Sequence, residues 1–334
     1  MSDLCLVTGA SGFIGRHLTR ALVARGRRVR ALVSGEAAAA VARRMGAEAV
    51  VGDLSDRPAL ERMTEGVSSV YHLAAHVRPR RWFYGVDDLS RRYQEVNVAG
   101  TMNLAQACRG KVRDFVYFSS IAAVGPGRDL REDSPCRPND DYGRSKRDAE
   151  QALISAFQRD RFPVKIVRPG QVYGPENVSM LSLFKLLKMG VLPLIGDGRN
   201  HLPFCYIDDL IEMSLAVERK GSAGEAYFAV NEPATFGRFV RAICAAMGRD
   251  VPTFAFPRWS FETAARMKDR AERALGIRFY PMSLDFGVHS VANASGEWLC
   301  RNEKIKEHVG FTTHTTVEEG VRRTVDWYTE NRLL

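Results

Sequence analysis

The sequence lacks three features that would place it in a class at once. Its six cysteines include no C-x-x-C pair, so we predict neither a zinc site nor a redox dithiol, and no metal. No apolar run approaches the ~18 residues of a membrane span. The chain opens MSDLCLVTGA, which leaves no room for the basic and apolar regions of a signal peptide. These absences predict a soluble, cytoplasmic protein with no membrane span.

The sequence also lacks any concentrated basic tract, although its net charge is +9. Arginine pairs such as Arg27-Arg28 and Arg43-Arg44 fall in or beside helical patterns, and no zinc-finger, RNP-like or basic-zipper pattern occurs. Dispersed positive charge is typical of a generally basic surface. We therefore expect no nucleic-acid partner and a small molecule as the substrate.

The first half of the chain alternates short β-rich runs with amphipathic stretches. The runs are LCLVTG, RVRALV, EAVVGD, SVYHLAA, DFVYFSS and PVKIVRPG. This rhythm predicts βαβ units, and hence an α/β fold with a Rossmann-type, doubly wound parallel sheet. After about Gly170 prolines and glycines cluster and the rhythm breaks, which predicts a smaller, irregular C-terminal lobe.

These patterns predict a division of the chain into two parts. Residues 1–170 mainly form a cofactor-binding domain, to which a segment around 204–232 returns. Residues 171–203 and 233–334 mainly form a substrate-binding lobe. We expect this lobe to close over the carboxyl ends of the parallel strands, where ligands sit in open α/β sheets.

The stretch TGASGFIG places three glycines directly between a strand and a helix. Gly9, Gly12 and Gly15 let backbone N–H groups approach a pyrophosphate, and the helix N-terminus adds partial positive charge. Ser11, Phe13 and Ile14 belong to the same turn. A glycine triplet alone is weak evidence, but at the first βα turn it predicts a dinucleotide site.

Two later strand ends carry residues suited to the same ligand. Asp53-Leu54 follows the third strand, where a carboxylate can accept a hydrogen bond from an adenine amino group; the alternative is a helix N-cap, a role that Asp56 already fits. Ala74-Ala75 ends the fourth strand with side chains small enough for a backbone that passes close to a dinucleotide. His72 and His76 flank it, and we interpret both as structural or pocket-lining.

The end of the second strand distinguishes the two nicotinamide cofactors. An acid there binds the ribose 2′-hydroxyl and repels a 2′-phosphate. The sequence has Ser34, which can hydrogen-bond to either group, followed by Gly35 and Glu36. The missing acid favours NADP slightly, while Glu36 keeps NAD open.

The fifth strand and the helix that follows supply a reactive set. Ser119 and Ser120 end the strand, and YGRSK places Tyr142 and Lys146 at positions i and i+4 on one helix face. A nearby ammonium lowers the pKa of a phenol, so the tyrosine can exchange a proton with a carbonyl or carbinol oxygen while hydride moves. The serine hydroxyl holds the same oxygen.

Taken as a set, TGASGFIG, GDL, HLAA, NVAGT, FSSIAAVG, YGRSK and RPGQVYGP resemble the extended short-chain dehydrogenase/reductase superfamily over roughly residues 4 to 230. The resemblance implies a Rossmann domain, a nicotinamide cofactor and catalysis by Ser120, Tyr142 and Lys146. It also implies that Lys146 and Tyr142 contact the cofactor and that Asn97 braces the site. Pro169 and Val172, in RPGQVYGP, are the last implied cofactor-binding residues.

Within the superfamily two branches compete. Sugar dehydratases carry a sequence similar to S-T-D-E at the position where this chain has Ser119-Ser120-Ile121-Ala122. Nucleotide-sugar enzymes tend to carry Arg-Asp where this chain has Leu202-Pro203, and Arg199 is three residues away. FVYFSSIAAVGPG is most similar to the branch of 3β-hydroxysteroid dehydrogenases and dihydroflavonol reductases. This implies a dehydrogenase or reductase of an apolar ketone or secondary alcohol.

Two alternatives stay open: a nucleotide-sugar 4-epimerase or 4-ketoreductase, and a non-catalytic NAD(P)-binding sensor or structural subunit. Sensors of this superfamily usually lose the tyrosine or the lysine, and this chain has both. The resemblance also implies a homodimer through helices at about 89–109 and 142–158. The second helix carries an apolar stripe that either faces a partner or packs on the sheet of its own subunit: Ala149, Ala152, Leu153, Ala156 and Phe157.

Overall fold

The structure is a computed structural model. It describes residues 3–77, 83–190, 194–195, 197–251, 255–256, 258–279 and 288–334. The strands are β1 (Leu4–Thr8), β2 (Arg28–Val33), β3 (Glu48–Val51), β4 (Ser69–His72), β5 (Phe83–Gly85), β6 (Asp114–Phe118), β7 (Gly127–Leu130), β8 (Val164–Pro169), β9 (Gln171–Tyr173), β10 (Leu194–Ile195), β11 (His201–Leu202), β12 (Phe204–Tyr206), β13 (Ala226–Ala229), β14 (Ala234–Thr235), β15 (Ala255–Phe256), β16 (Ile277–Phe279) and β17 (Trp298–Cys300).

The α-helices are α1 (Phe13–Ala24), α2 (Glu36–Arg44), α3 (Arg57–Met63), α4 (Val86–Tyr93), α5 (Gly100–Cys108), α6 (Asp141–Asp160), α7 (Leu181–Lys188), α8 (Ile207–Lys220), α9 (Phe236–Ala246), α10 (Arg258–Leu275), α11 (Val288–Ser295) and α12 (Val317–Glu330). A π-helical turn, Gln94–Ala99, joins α4 to α5, and a second spans Ile305–Val309. A 3₁₀ turn, Ile121–Ala123, follows β6.

Among the described residues, seven strands form the main sheet in the order β13-β8-β6-β4-β1-β2-β3, and every pair is parallel. All six strands that the sequence predicts are in this sheet, and β13 adds a seventh at one edge. The strand order reverses between β1 and β4. In open α/β sheets this switch point is where ligands bind, so the predicted Rossmann-type fold is confirmed.

Strand alternation divides the core between the two faces of the sheet. Cys5 and Val7 of β1 face a cluster that includes residues of α1 and α8, while Leu4 and Leu6 face a cluster with α5 and α6. Buried parallel strands need apolar residues on both faces because helices cover both. The run LCLVT therefore has no polar alternation.

The apolar stripe of α6 packs on the sheet of its own subunit. Ala149 and Leu153 have no exposed surface in the single chain, and Ala156 keeps 8%. All three lie in the cluster with β6 and β8 residues. The partner-facing interpretation of these three residues is therefore wrong, since their surface is already buried.

The C-terminal lobe contains more regular helix than its prolines and glycines suggest. Helix α10 has 18 residues and α12 has 14. Helix α9 packs on α12, and α10 packs on α11. In the part of the chain that the structure describes, no helix is long and apolar enough to cross a membrane, and no group of three or more His, Cys, Asp or Glu side chains could hold a metal ion.

Candidate active site

The glycine turn after β1 brings two strand ends into close contact. Gly9 has φ +71°, and a Cβ on it would lie 2.8 Å from the backbone nitrogen of Ala74, just beyond β4. A Cβ on Gly15 would lie 2.1 Å from the carbonyl oxygen of Gly9. Both spacings are shorter than any carbon can tolerate, so only glycine fits at these two positions.

The same turn leaves the start of α1 open to an anion. Gly12 caps the helix without a side-chain hydrogen bond, and the first turn contains no acid. Ser11, Phe13 and Ile14 surround this end, where backbone N–H groups lack helical partners. Free N–H groups, the helix dipole and missing side chains suit a pyrophosphate, so the turn fits the predicted dinucleotide.

At the end of β2, Ser34 is exposed, and Gly35 separates it from α2. The neighbouring Glu36 has its carboxylate 3.2 Å from the guanidinium of Arg43, about two helical turns further along. Glu36 is thus paired within its own helix, and Ser34 is the exposed side chain at the end of the strand.

The turn after β3 separates two neighbouring acids. Asp53 accepts from the backbone nitrogen of Ser55 at 2.8 Å, and this hydrogen bond lowers the pKa of its carboxyl. Asp56 caps α3 by accepting from Ala59 at 3.1 Å, as predicted. Leu54 is buried against Gly100 of α5. Asp53 is thus ionised and exposed, and its adenine contact stays a prediction.

Behind Ala74 and Ala75, which are half-buried, lies a chain of buried hydrogen bonds. The hydroxyl of Thr101 donates to the carbonyl of Asn97 at 2.7 Å, so it accepts from His72 Nε2 at 2.8 Å. The other imidazole nitrogen, Nδ1, then accepts from Thr8 at 2.6 Å. Burial, with the Lys146 charge, lowers the pKa of His72 to about 3. His72 is therefore a neutral structural residue.

Asn97 lies in the π-helical turn between α4 and α5 and is 1% exposed. Its carbonyl accepts from the backbone of His76 at 2.7 Å, and its amide donates to the His76 carbonyl at 3.0 Å and to Ser145 Oγ at 2.9 Å. Asn97 therefore ties the segment after β4 to helix α6. π-Turns commonly occur at functional sites, because they reorient one side chain within a helix.

The two serines after β6 differ in their surroundings. Ser120 caps the 3₁₀ turn, with its Oγ accepting from Ala122 at 3.1 Å, and it remains partly exposed. Ser119 is 5% exposed, and within the described residues its Oγ has no hydrogen-bond partner. A buried hydroxyl without a partner costs free energy unless a ligand or water satisfies it. This orphan lies at the carboxyl edge of the sheet, on the predicted cofactor side.

Helix α6 is capped by Asp140, whose carboxylate accepts from the backbone nitrogen of Gly143 at 2.6 Å. A Cβ on Gly143 would lie 2.3 Å from the carbonyl oxygen of Ala122. The glycine of YGRSK thus lets the first turn of α6 pack directly on the turn that Ser120 begins. Tyr142, in that first turn, is partly exposed, and its ring centroid is 6.1 Å from that of Tyr93.

One turn further along α6, Lys146 is 2% exposed. Its Nζ donates to the carbonyl oxygen of Phe118 at 2.7 Å and to the hydroxyl of Tyr117 at 3.2 Å, and it lies 4.6 Å from the Tyr117 ring centroid. The structure thus brings Lys146, Tyr142 and Ser120 to one edge of the sheet. Their catalytic roles stay predictions.

Burial lowers the pKa of Lys146 to about 7, and the carboxylate of Glu150 opposes this shift. Glu150 follows Lys146 by one helical turn, is 4% exposed, and pairs with Arg168 of β8 at 3.0 and 2.7 Å. Sequence analysis missed both residues. The i+4 spacing of Glu150 from Lys146 could have identified Glu150 from the sequence. The pairing of Arg168 with Glu150 becomes visible only in the folded structure.

The remaining predicted cofactor residues lie beyond β8. Pro169 ends β8 and Val172 lies in β9, which pairs with β12. Between them, a Cβ on Gly170 would lie 1.8 Å from the carbonyl oxygen of Pro203. Past β9, Glu176 pairs with Arg16 and Arg20 of α1 at 3.0 and 2.6 Å. This pairing ties the segment after β9 to the helix of the glycine turn.

The glycine turn, the sheet order and the Ser/Tyr/Lys arrangement define a member of the extended short-chain dehydrogenase/reductase superfamily. The chain belongs to the NAD dependent epimerase/dehydratase family, whose profile matches residues 5–231. Its relatives and family support NAD-dependent oxidoreduction by an enzyme.

Three curated relatives span nearly the whole chain. Sterol demethylase protein B of Methylococcus capsulatus is 31% identical, covering 98% of this chain and 99% of its own length. A 2-alkyl-3-oxoalkanoate reductase of Stenotrophomonas maltophilia is 30% identical, covering 95% and 97%. A UDP-glucose 4-epimerase of Vibrio cholerae is 26% identical, covering 97% and 95%. The crystal structure of gox2253, 26% identical, superposes with a TM-score of 0.83 over 100% of both chains.

Proposed function

We propose that this protein interconverts a ketone and a secondary alcohol on an apolar small molecule, with NADP or NAD as hydride carrier. The observation that carries the proposal is the buried Lys146, held by Phe118 and Tyr117 on the helix that supplies Tyr142, beside the Ser120 turn. A family fold alone would not support a reaction, because fold does not determine function.

In the proposed reaction the cofactor, when bound, supplies or accepts the hydride. Tyr142 donates a proton to the carbonyl oxygen during reduction and removes it during oxidation. Ser120 donates a hydrogen bond to the same oxygen and so fixes its position. The Lys146 ammonium stabilises the phenolate form of Tyr142 and supplies donors to the nicotinamide ribose. The ketone, one hydride and one proton together give the secondary alcohol, so the reaction balances.

The segment that binds nucleotide phosphates in the sugar enzymes supports an apolar substrate. Leu202 is 5% exposed and Pro203 is buried, whereas Arg199 is 88% exposed and its nearest acid is Asp197, at 3.5 Å. The adjacent His201 binds the carboxylate of Glu297 at 2.6 Å. A carboxylate beside this segment would repel two phosphates, and burying them without paired cations costs several kcal/mol.

For the cofactor, we propose a slight preference for NADP over NAD. Ser34 presents a hydroxyl, and Glu36 is held by Arg43. A serine accepts either a 2′-hydroxyl or a 2′-phosphate, and no acid sits at the strand end to repel the phosphate. The check is to compare kcat/KM for NADPH and NADH with one ketone substrate.

A nucleotide-sugar 4-epimerase is the second candidate, because the family includes epimerases and one relative carries that name. An epimerase keeps its cofactor bound and shows no net oxidation. The Tyr142 and Lys146 pair argues against the third candidate, a non-catalytic sensor or structural subunit, since such a protein needs neither side chain.

The test supplies the purified protein with NADPH or NADH and steroid-like, 2-alkyl-3-oxo and aromatic ketones, and titrates it separately with UDP- and GDP-sugars. We expect net consumption of reduced cofactor with at least one apolar ketone. Micromolar binding of a nucleotide sugar would contradict the substrate class and implicate Arg199. Cofactor binding with no turnover of any ketone or sugar would favour the sensor.

We also propose a homodimer through the helices at 89–109 and 142–158. The family resemblance supports this proposal, whereas Ala149 and Leu153 of the α6 stripe are buried within the subunit. Any interface on α6 must use its outer residues, such as Gln151 and Ser155, which are exposed. A monomeric mass by light scattering at micromolar concentration would count against the dimer.

A further inference from the structure

Helix α10 presents an unusual outward surface in the C-terminal lobe. Trp259 is 68% exposed, Met267 65% and Leu275 70%, so three of the large apolar side chains that lie open to solvent share one helix. Exposed arginines accompany them. We define the α10 face by six residues: Trp259, Met267, Leu275, Arg266, Arg270 and Arg273.

The six residues spread over about 200° of the helix surface and leave the remaining side free of them. At about 100° per residue, Met267 lies about 80° from Trp259, and Leu275 lies about 80° further on. The three arginines fall on one flank of this arc, within about 60° of one another. The opposite side of the helix carries Ala265, which is 2% exposed and packs inward. The outward side is thus an apolar strip with a cationic border.

The charge on this surface has one sign. The fully exposed positions of α10 from Trp259 onward include arginines but no acid; Glu262, Asp269 and Glu272 are all partly covered. Glu262 pairs with Arg266 at 3.1 Å, and Glu272 pairs with Lys268 at 2.6 Å. The acids therefore lie at the inner margin of the helix, while the solvent meets apolar and cationic groups.

We propose that the α10 face docks this protein on the surface of an anionic lipid bilayer. Tryptophan and long apolar side chains enter the boundary between headgroups and acyl chains, while arginines remain at the phosphate level. Each basic residue near an anionic surface strengthens binding roughly fivefold. A helix with a wide exposed apolar strip and a basic border is suited to lying in that plane.

A second copy of the chain is a poorer occupant of the same face. In a two-fold interface centred there, the arginines of one subunit would meet the arginines of the other, and the exposed part of α10 offers no acid to pair with them. Like charges buried across an interface oppose association. A bilayer supplies both the phosphates and the apolar phase.

The α10 face is connected to the candidate active site through one pair of strands. After Leu275 and Gly276 the chain forms β16, which pairs antiparallel with β5. β5 leads directly into α4, whose Tyr93 lies beside Tyr142. Docking through α10 would therefore hold the substrate lobe against the membrane, where apolar ketones and alcohols partition.

The experiment is co-sedimentation of the full chain with phosphatidylcholine vesicles and with phosphatidylcholine/phosphatidylglycerol vesicles, at low and high salt. We expect at least tenfold tighter binding to the anionic vesicles, weakened by salt. Trp259→Ser combined with Met267→Ser should reduce that binding at least tenfold. The matched control is Val178→Ser with Met189→Ser, which removes side chains that are 65% and 64% exposed elsewhere.

A charge variant separates the two parts of the face. Arg266→Gln, Arg270→Gln and Arg273→Gln together should abolish the preference for anionic vesicles and the salt dependence. The control is Arg44→Gln, Arg62→Gln and Arg249→Gln, which removes the same charge from other exposed positions. Circular dichroism, melting temperature and cofactor binding should be unchanged in every variant, which excludes misfolding.

A spectroscopic readout is independent of folding. Brominated lipids should quench part of the fluorescence of the four tryptophans, and Trp259→Phe, which keeps the ring apolar, should remove that quenching. The proposal fails if the protein stays in the supernatant with anionic vesicles, or if the test and control variants bind alike. It also fails if light scattering shows that only the α10 variants lose a dimer, because α10 is then a subunit interface.

Discussion

The carboxyl edge of the main sheet and the outward face of α10 differ in which side chains they bury and which they expose. At the sheet edge, several polar side chains are buried and hydrogen-bonded to one another: His72 joins Thr8 to Thr101, and Asn97 joins His76 to Ser145. On α10, large apolar groups and arginines are exposed together. The sheet edge therefore buries polar atoms, whereas α10 exposes apolar ones.

This difference reflects the kind of ligand that each region suits. Buried hydrogen-bond networks fix side chains in one geometry, which a reaction at a single carbonyl oxygen requires. An exposed apolar strip needs no fixed geometry, because a bilayer is a fluid and binds by area and charge. The cost of changing one residue should therefore be large at the sheet edge and small in the lobe.

The largest effect is expected from Tyr142→Phe. This change removes the proposed proton donor and keeps the ring that lies beside Tyr93. We expect kcat to fall by about 10²–10⁴-fold, the usual contribution of a positioned acid. Cofactor affinity, measured by fluorescence titration, should change little. Tyr93→Phe, which alters the neighbouring phenol, is the matched control; equal losses in both variants would contradict the assignment.

A second large effect is expected from Gly15→Ala. Its new methyl group would lie 2.1 Å from the Gly9 carbonyl oxygen, so the glycine turn must move. Overpacking of this kind costs about 1–3 kcal/mol or more, and cofactor affinity should fall at least tenfold. Gly66→Ala, before β4 at the opposite, amino edge of the sheet, is the control: its φ of +70° strains an added side chain, but nothing lies within 4 Å of the added carbon. Equal cofactor affinity in the two variants would rule out the turn as the pyrophosphate site.

The sheet edge was largely predictable from sequence because its signals are local. The strand runs, the glycine turn and the Tyr142–Lys146 spacing each depend on residues within a few positions of one another. The helix period alone places Tyr142 and Lys146 on one face. The order of strands and helices along the chain then places Ser120 at the end of the strand that precedes this helix.

Other features depend on contacts between distant residues, and sequence patterns do not carry them. Arg168 lies 18 residues from Glu150, and nothing in RPGQVYGP shows that its side chain turns to α6. The stripe of Ala149 and Leu153 is equally consistent with a partner or with the sheet until the sheet is seen. The exposure of Trp259 was also hidden, because an aromatic in an apolar segment is more often core.

A smaller, pH-dependent effect is expected from Glu150→Gln. Lys146 contacts the Tyr117 hydroxyl and the Phe118 carbonyl of β6, and its charge acts on neutral His72 of β4. On its own helix, Tyr142 lies one turn before it and Glu150 one turn after it. The pKa of Lys146 is already lowered to about 7, and Glu150 is the group that raises it. Without that carboxylate the ammonium loses its proton at lower pH.

The alkaline limb of kcat against pH should therefore move to lower pH in Glu150→Gln. Asp148→Asn, on the same helix, removes an acid that binds Arg147 at 2.8 Å and serves as the control. A purely structural role for Glu150 would lower the melting temperature and kcat without moving the limb.

In the unmodified protein, the depressed pKa of Lys146 means that the folded state binds fewer protons than the unfolded state between about pH 7 and the ordinary pKa of a lysine. Stability from this group should rise with pH across that window.

The smallest effect is expected from Arg199→Ala in the lobe. This side chain is 88% exposed and lies 3.5 Å from Asp197, so its removal should cost less than about 1 kcal/mol of stability. Turnover of an apolar ketone should stay within twofold, because the proposed substrate brings no phosphate to this position. His201→Ala is the companion variant: it removes the 2.6 Å imidazole contact of Glu297, while the backbone nitrogen at position 201 still holds that carboxylate beside the same segment. A loss of turnover of more than tenfold in Arg199→Ala, restored by Arg199→Lys, would show that the positive charge at this position binds a charged substrate. The lobe would then fix its ligand through a specific polar contact, as the sheet edge does.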